Sequence, residues 1–202
     1  MSDGQTSQVA QTSDVTQVPH VPEPNYTNLV QCIIAVDVSG GMGLNNRMPW
    51  KCAQELKHFK QKTLNSNIVV GRKTLMNLPC LKDRNMYCLS KTLDKTKQIS
   101  VVRASSEGCK LNLLNNVNNA KIINDIDEIK NIPKPVFIVG GASVYTDAIE
   151  SGIVDVVHLS IMKKTYICDA FIDMRMFSKY KTVKTESYDD FTYYVMVKRE
   201  SE

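Results

Sequence analysis

An apolar run, Pro135-Val136-Phe137-Ile138-Val139, ends in Gly140-Gly141 and passes directly into the helical pattern that begins Ala142-Ser143-Val144-Tyr145. A helix start offers unpaired backbone N–H groups and the positive end of its dipole, so this junction suits an anion such as a dinucleotide phosphate. The pattern is not GxGxxG, and a packing turn explains two glycines equally well. Gly71-Arg72-Lys73-Thr74 repeats the arrangement after a second apolar run, now with two cations, and Ser90-Lys91 follows Leu89 at a third. If the strands are parallel, all three junctions share one edge of the sheet. Arg72, Lys73, Ser90 and Lys91 then surround a phosphate on the adenosine side of a nucleotide. Each cation taken singly also fits a solvated surface.

Glu55 stands one helical turn before Phe59 and beside Leu56, a spacing that lets it border the interior and meet a cationic or donor-rich ligand. The competing reading is a first-turn glutamate favoured by the helix dipole and facing water. Trp50, the single tryptophan, is either a core anchor or a pocket wall.

These residues need a scaffold, and the sequence supplies one. Residues 29–36 are continuously apolar apart from Gln31, as expected of an interior strand covered on both faces. Further strands are predicted at 67–71, 86–89, 135–139 and 153–159, with helices around residues 56–63, after Arg72 and after Gly141. Alternating strands and helices predict an α/β fold with a mostly parallel central sheet flanked by helices. Residues 180–185 and 191–197 read as a hairpin through Asp189-Asp190, giving an antiparallel C-terminal edge strand. Residues 103–119, rich in Ser and Asn, read as a surface insertion. A polar tail spanning 1–28, predicted to be disordered, precedes the domain at 29–202.

Composition narrows the function classes. The 202 residues carry 25 basic and 21 acidic side chains, and three of the acids (Asp3, Asp14, Glu23) lie in the tail, so the domain itself carries +7. That favours small acidic ligands but lacks the concentrated stripe of a nucleic-acid binder. Six scattered cysteines without a CxxC pair fit neither a zinc site nor a disulfide framework, so no metal is expected. No apolar run is long enough to span a bilayer, and no signal-like segment opens the chain. A cytoplasmic location away from membranes is the expectation.

Taken in order, Gly43, Met48-Pro49-Trp50, Glu55, Phe59, Gly71-Arg72-Lys73-Thr74, Leu81-Lys82-Asp83-Arg84, Leu89-Ser90 and Val139-Gly140-Gly141 resemble dihydrofolate reductases from about residue 30 to the C-terminus. The resemblance implies hydride transfer from NADPH to C6 of 7,8-dihydrofolate with protonation of N5. Tetrahydrofolate for one-carbon metabolism and thymidylate and purine synthesis is the implied product, and sensitivity to antifolate inhibitors is implied as well. Glu55 matches the carboxylate that binds the amino edge of the pterin. A carboxylate suits that role because it accepts two parallel hydrogen bonds and stabilises the developing ring cation. Glu55 is too far from N5 to donate directly, and a water near Trp50 is the implied proton carrier.

The same resemblance distributes the remaining residues. Ile33, Ile34, Ala35, Leu56, Phe59, Leu78, Leu81, Val139, Tyr145 and Ser160 are implied around the substrate, with Arg84 on its α-carboxylate as a planar fork of donors. Ala35, Met42, Gly43 and Leu44 are implied at the nicotinamide, and Gly71, Arg72, Lys73, Leu89, Ser90 and Lys91 around the 2'-phosphate end. Thr74, Ala142, Ser143 and Val144 would hold the pyrophosphate, with Val139, Gly140, Gly141 and Tyr145 adjoining. The glycine-rich loop is implied to be a lid, with Asn45, Asn46 and Arg47 facing solvent at its tip. The family's peptide between the paired glycines is cis.

Four positions depart from the family pattern. Ser160 stands for a common threonine, Asp83 for a glycine and Leu75 for a tryptophan, and Cys80 sits in a shortened connection. Two other readings stay open at this point: a related NADPH-dependent pyrimidine reductase of the riboflavin type, and a non-catalytic folate- or nucleotide-binding module. A monomer is expected.

Overall fold

A computed structural model describes residues 25–78, 81–96, 99–103, 109–113 and 120–200. The expectations for residues 1–24, for Cys80 and for most of the Asn-rich stretch lie outside these described residues. In chain order the strands and helices are β1 (Val30–Asp37), β2 (Gly41–Gly43), α1 (Ala53–Lys62), β3 (Asn67–Gly71), α2 (Arg72–Leu75) and β4 (Asn85–Leu89). There follow β5 (Ile99–Arg103), β6 (Cys109–Leu113), β7 (Lys121–Ile123), β8 (Val136–Ile138), α3 (Ala142–Glu150), β9 (Val156–Met162), β10 (Ala170–Phe171), β11 (Tyr180–Ser187) and β12 (Phe191–Lys198). Two 3-10 turns, Ile126–Asn131 and Met174–Lys179, complete the described fold.

Among the described residues the main sheet runs β11-β12-β9-β1-β8-β3-β4-β7. Every pairing from β9 through to β7 is parallel, and β12 and β11 are antiparallel additions. β1 is central because both its faces are apolar. Cys32, Ile34 and Val36 pack with Val69, Ile138, Ala148 and Ile149 on one side, while Ile33 packs with Ile68, Val70, Phe137 and Val139 on the other. Trp50, Phe191, Tyr193 and Val195 form a third cluster.

The sheet also contains a row of buried polar groups. The Gln31 amide donates to the Tyr26 carbonyl at 3.0 Å, so its Oε1 is free to accept from His158 Nε2 at 2.7 Å. That polarity leaves His158 Nδ1 as acceptor for the Tyr193 hydroxyl at 2.6 Å. Satisfying each partner in this way is what makes polar side chains tolerable in a core. Tyr26 also packs edge-on against His158, so contacts with the sheet extend at least to Tyr26, ahead of the expected boundary at Asn28.

Several expectations need correction. The run at 153–159 is a regular strand only from Val156, and just before it the Asp155 carboxylate accepts from Val30 N. α2 is a single turn. Inside the stretch read as an insertion, residues 109–113 form β6, paired antiparallel with β5. The C-terminal hairpin forms as expected, with an irregularity between Thr182 and Lys184 on the outer strand β11. The peptide between Gly140 and Gly141 is cis, as is Lys134-Pro135.

The glycine-rich loop is held rather than loose. Gly40 has φ +82°, and a Cβ there would lie 2.5 Å from the Ile172 carbonyl oxygen; on Gly41 it would lie 2.6 Å from Cys168 Sγ. Gly40 is needed because another backbone approaches closely, and Gly41 because the Cys168 side chain does. Gly40→Ala is therefore expected to lower unfolding stability by about 2 kcal/mol or more. Gly152→Ala, also at positive φ but opposed only by the flexible tip of Lys198, is expected to cost about 1 kcal/mol. Chemical denaturation of both variants measures the difference.

Candidate active site

The carboxyl edge of the parallel strands opens into a cavity of about 850 Å³. At one end stand Ile33, Ile34 and Ala35 from β1 with Glu55, Leu56 and Phe59 from α1. At the other, the β3–α2 and β8–α3 junctions converge. Gly71 N donates to Gly140 O at 2.7 Å, and added Cβ atoms would press Gly71 on Val144 and Gly141 on Thr74 Oγ1, each at 2.9 Å. Small residues at this seam let two helix starts share one wall.

Glu55 points inward. It is the buried residue of α1, 5% exposed, and burial pushes its carboxyl up to about 7 from the ordinary 4.5. The solvent-facing reading of this residue is thus excluded. Tyr145 closes the cavity from α3, its hydroxyl donating to Ile33 O at 2.7 Å. Burial, then the nearby Cys32 and Glu55, hold that phenol far above its usual value, so it remains a neutral donor.

The junction end suits a dinucleotide on observations of its own. Ala142, Ser143 and Val144 at the start of α3 line the cavity, no side chain caps that helix, and Arg72 and Lys73 line it from α2. No acidic residue occupies the first turn of either helix. Unpaired N–H groups with adjacent cations form a receptor for phosphate.

Of the residues expected from the sequence, Met42, Gly43, Leu78, Leu89, Ser90, Val139 and Gly140 also line the cavity. Trp50, Leu44, Leu81, Arg84, Lys91 and Ser160 do not. Trp50 is buried in the third cluster against Tyr166, its ring 5.3 Å away, and its Nε1 has no protein acceptor among the described residues. Ser160 is buried in β9, registered between Ala35 and Tyr193. Leu44 joins Arg47 across a tight turn whose central Asn45 and Asn46 have positive φ.

Arg84 lies along the C-terminal end of α1. Its Nη2 donates to Lys60 O and its Nη1 to Lys82 O, both at 2.6 Å, and Nε donates to Thr63 Oγ1 at 3.2 Å. Three of its five N–H groups are thereby engaged, which fixes the plane of the fork. Asp83 adopts φ +59°, so an aspartate here fills the left-handed position that explains the family's glycine. Leu75 is buried among Ile68, Val70 and Phe137, an aliphatic filling where the family commonly has an indole.

Sequence reasoning missed other lining residues. Asn77 and Thr92 sit one turn or less beyond motifs already noted, and Asn46 and Arg47, read as solvent-facing rather than catalytic, are exposed and also line the cavity. Asp169 and Ala170 arrive from a distant part of the chain through the pairing of β10 with β2. No local pattern announces that pairing.

Comparison with known proteins agrees with this geometry. Residues 29–198 match the model of the dihydrofolate reductase family. A dihydrofolate reductase type 9 from Escherichia coli is 33% identical over 153 residues, covering 75% of this chain and 80% of that protein. The dihydrofolate reductase of Mycoplasma genitalium is 33% identical over 165 residues, covering 78% and 92%. In fold, the chain resembles dihydrofolate reductase from Enterococcus faecalis complexed with NADP(H) and RAB-propyl, with TM-score 0.65 and 20% identity over 86% of this chain and 98% of that one. Neither the riboflavin-type reductase nor the non-catalytic module is favoured by these matches. With its sheet order, its buried cavity carboxylate and its profile in agreement, the chain belongs to the dihydrofolate reductase family.

Proposed function

We propose that the Glu55 end of the cavity receives the pterin of 7,8-dihydrofolate and that the paired junctions would hold NADPH, with Ala35 and Tyr145 lining the space between. The activity is NADPH-dependent reduction of dihydrofolate to tetrahydrofolate. Bound NADPH supplies the hydride, delivered to C6, while N5 gains a proton. The buried carboxyl of Glu55 in a cavity wall carries this reading.

The protein's own contribution is alignment, electrostatics and exclusion of water. Glu55 accepts the two parallel hydrogen bonds of the pterin's amino edge and holds a negative charge opposite the ring that becomes cationic. Its burial strengthens that attraction, because little water competes. Leu56 and Phe59 cover the ring faces, and Leu78 continues the apolar wall toward the aminobenzoyl group. Arg84, already oriented by α1, meets the α-carboxylate. Trp50 Nε1 is a buried donor lacking a protein acceptor among the described residues, which suits it to bind a water behind the cavity wall as the source of the N5 proton.

Between the two ends, Ala35 and Met42 would orient the carboxamide through backbone groups. Thr74 and the α3 amides of Ala142, Ser143 and Val144 hold the pyrophosphate, and Arg72, Lys73, Ser90 and Lys91 select the 2'-phosphate. We place the protein in the cytoplasm as a monomer, a reading with which its free thiols Cys32, Cys52, Cys88 and Cys168 agree. No helix among the described residues is long and apolar enough to cross a membrane.

Purified protein is expected to oxidise NADPH only when dihydrofolate is present, and Glu55→Gln to lower kcat/KM about 100-fold. Steady-state assays check both, and equal turnover by Glu55→Gln removes the electrostatic role. Arg72→Ala is expected to raise the KM for NADPH about tenfold while leaving that for NADH nearly unchanged.

The raised carboxyl of Glu55 also predicts a stability signature. A carboxyl protonated more readily in the folded state than in the unfolded one costs stability as pH rises from about 4.5 to about 7. The loss is complete above that window and reaches at most about 3 kcal/mol. Ligand-free Glu55→Gln should therefore be more stable than the native protein near pH 8 and match it near pH 4, as read by thermal unfolding.

A further inference from the structure

Asp37 ends β1 two residues after the cavity-lining Ala35, and no step above uses it. The residue is fully buried. Its Oδ1 accepts from Ser39 N at 2.8 Å and Gly41 N at 2.9 Å, and its Oδ2 accepts from Tyr166 N at 2.9 Å. Burial raises the pKa of such a group, but the backbone bonds from Tyr166, Gly41 and Ser39 outweigh it and leave the carboxyl below its ordinary value. Asp37 is thus an anion at neutral pH, satisfied wholly by main chain.

Its donors belong to two segments distant in sequence. Ser39 and Gly41 form the root of the glycine-rich loop, whose Met42, Gly43, Asn46, Arg47 and Met48 line the cavity. Tyr166 lies in the connection from β9 to β10, where its ring packs on Trp50, and Asp169 at the end of that connection and Ala170 in β10 reach the cavity. Beyond the carboxylate the segments stay joined: Asp169 N donates to Gly43 O and Asn45 N to Asp169 Oδ2, each at 2.8 Å.

We propose that Asp37 is a positioning residue for the reductase reaction, a clip whose two oxygens fasten the root of the glycine-rich loop to the β9–β10 connection so that both hold the cofactor wall as one body. The proposal rests on the NADPH site assigned above. An amide cannot replace the carboxylate. In Asp37→Asn the carbonyl oxygen retains the turn bonds from Ser39 and Gly41, but the NH₂ group then faces Tyr166 N–H, donor against donor. The substitution cuts the link between segments and spares the turn within one of them.

The test compares the full chain with Asp37→Asn, and with Asp37→Ser, which keeps one acceptor for the turn. Expected for both variants is an approximately tenfold rise in KM for NADPH, with the KM for dihydrofolate within about twofold. Amide hydrogen exchange at Tyr166 should quicken about tenfold, while β3 and β4 keep native protection. A lower melting temperature with both KM values and Tyr166 exchange unchanged overturns the proposal, since Asp37 would then be structural only. Should neither variant fold, native protein decides: NADPH must slow exchange at Gly41 and Tyr166 together, and independent responses refute the clip. A native protein that fails to oxidise NADPH with dihydrofolate defeats the functional reading instead, and the exchange measurements without cofactor still judge the link.

Discussion

A carboxylate kept out of water in the wall of an open cavity is the constraint around which this fold is arranged. Desolvating Glu55 raises the free energy of its charged form, and burial is the cause of its raised carboxyl pKa. The cavity wall around it is mainly apolar: Ile33, Ile34, Leu56 and Phe59. Such an arrangement trades stability of the empty protein for attraction toward a flat donor-bearing heterocycle. β1, central and apolar on both faces, is the rigid floor that permits the trade.

Much of this scaffold is legible locally. The continuous apolarity of residues 29–36 marks β1 as interior, and the glycines at 71 and at 140 and 141 mark the strand-to-helix junctions that line the nucleotide end. Glu55 is identifiable as a candidate from Leu56 and Phe59 around it, although its inward orientation is decided by packing. Position 83 shows how backbone demand hides in sequence. An aspartate there resembles a loss of the family glycine until its φ of +59° shows the same left-handed turn being made.

What escaped the sequence depends on contacts between residues far apart. β2 and β10 are three and two residues long, too short for any periodic signal, and pair only because the chain returns after β9. The loop glycines illustrate the consequence. Read in isolation, they suggest freedom to move, whereas Gly40 and Gly41 admit the backbone and side chain of residues 168–172 at distances no Cβ allows. Asp37 likewise reads as a routine polar residue at a strand end. Its role emerges only when Tyr166, 129 positions later, supplies the third donor.

The outer strand β11 has a consequence for the molecule among its neighbours. Its backbone is the last in the sheet, carries Lys181 and Lys184, and falls out of register between Thr182 and Lys184. Lys184 is paired with Glu186 on the same strand at 2.9 Å, so a second molecule seeking to extend the sheet there meets chiefly a misaligned hydrogen-bond ladder. The hairpin that completes the reductase fold therefore also guards it against edge-to-edge aggregation at high concentration.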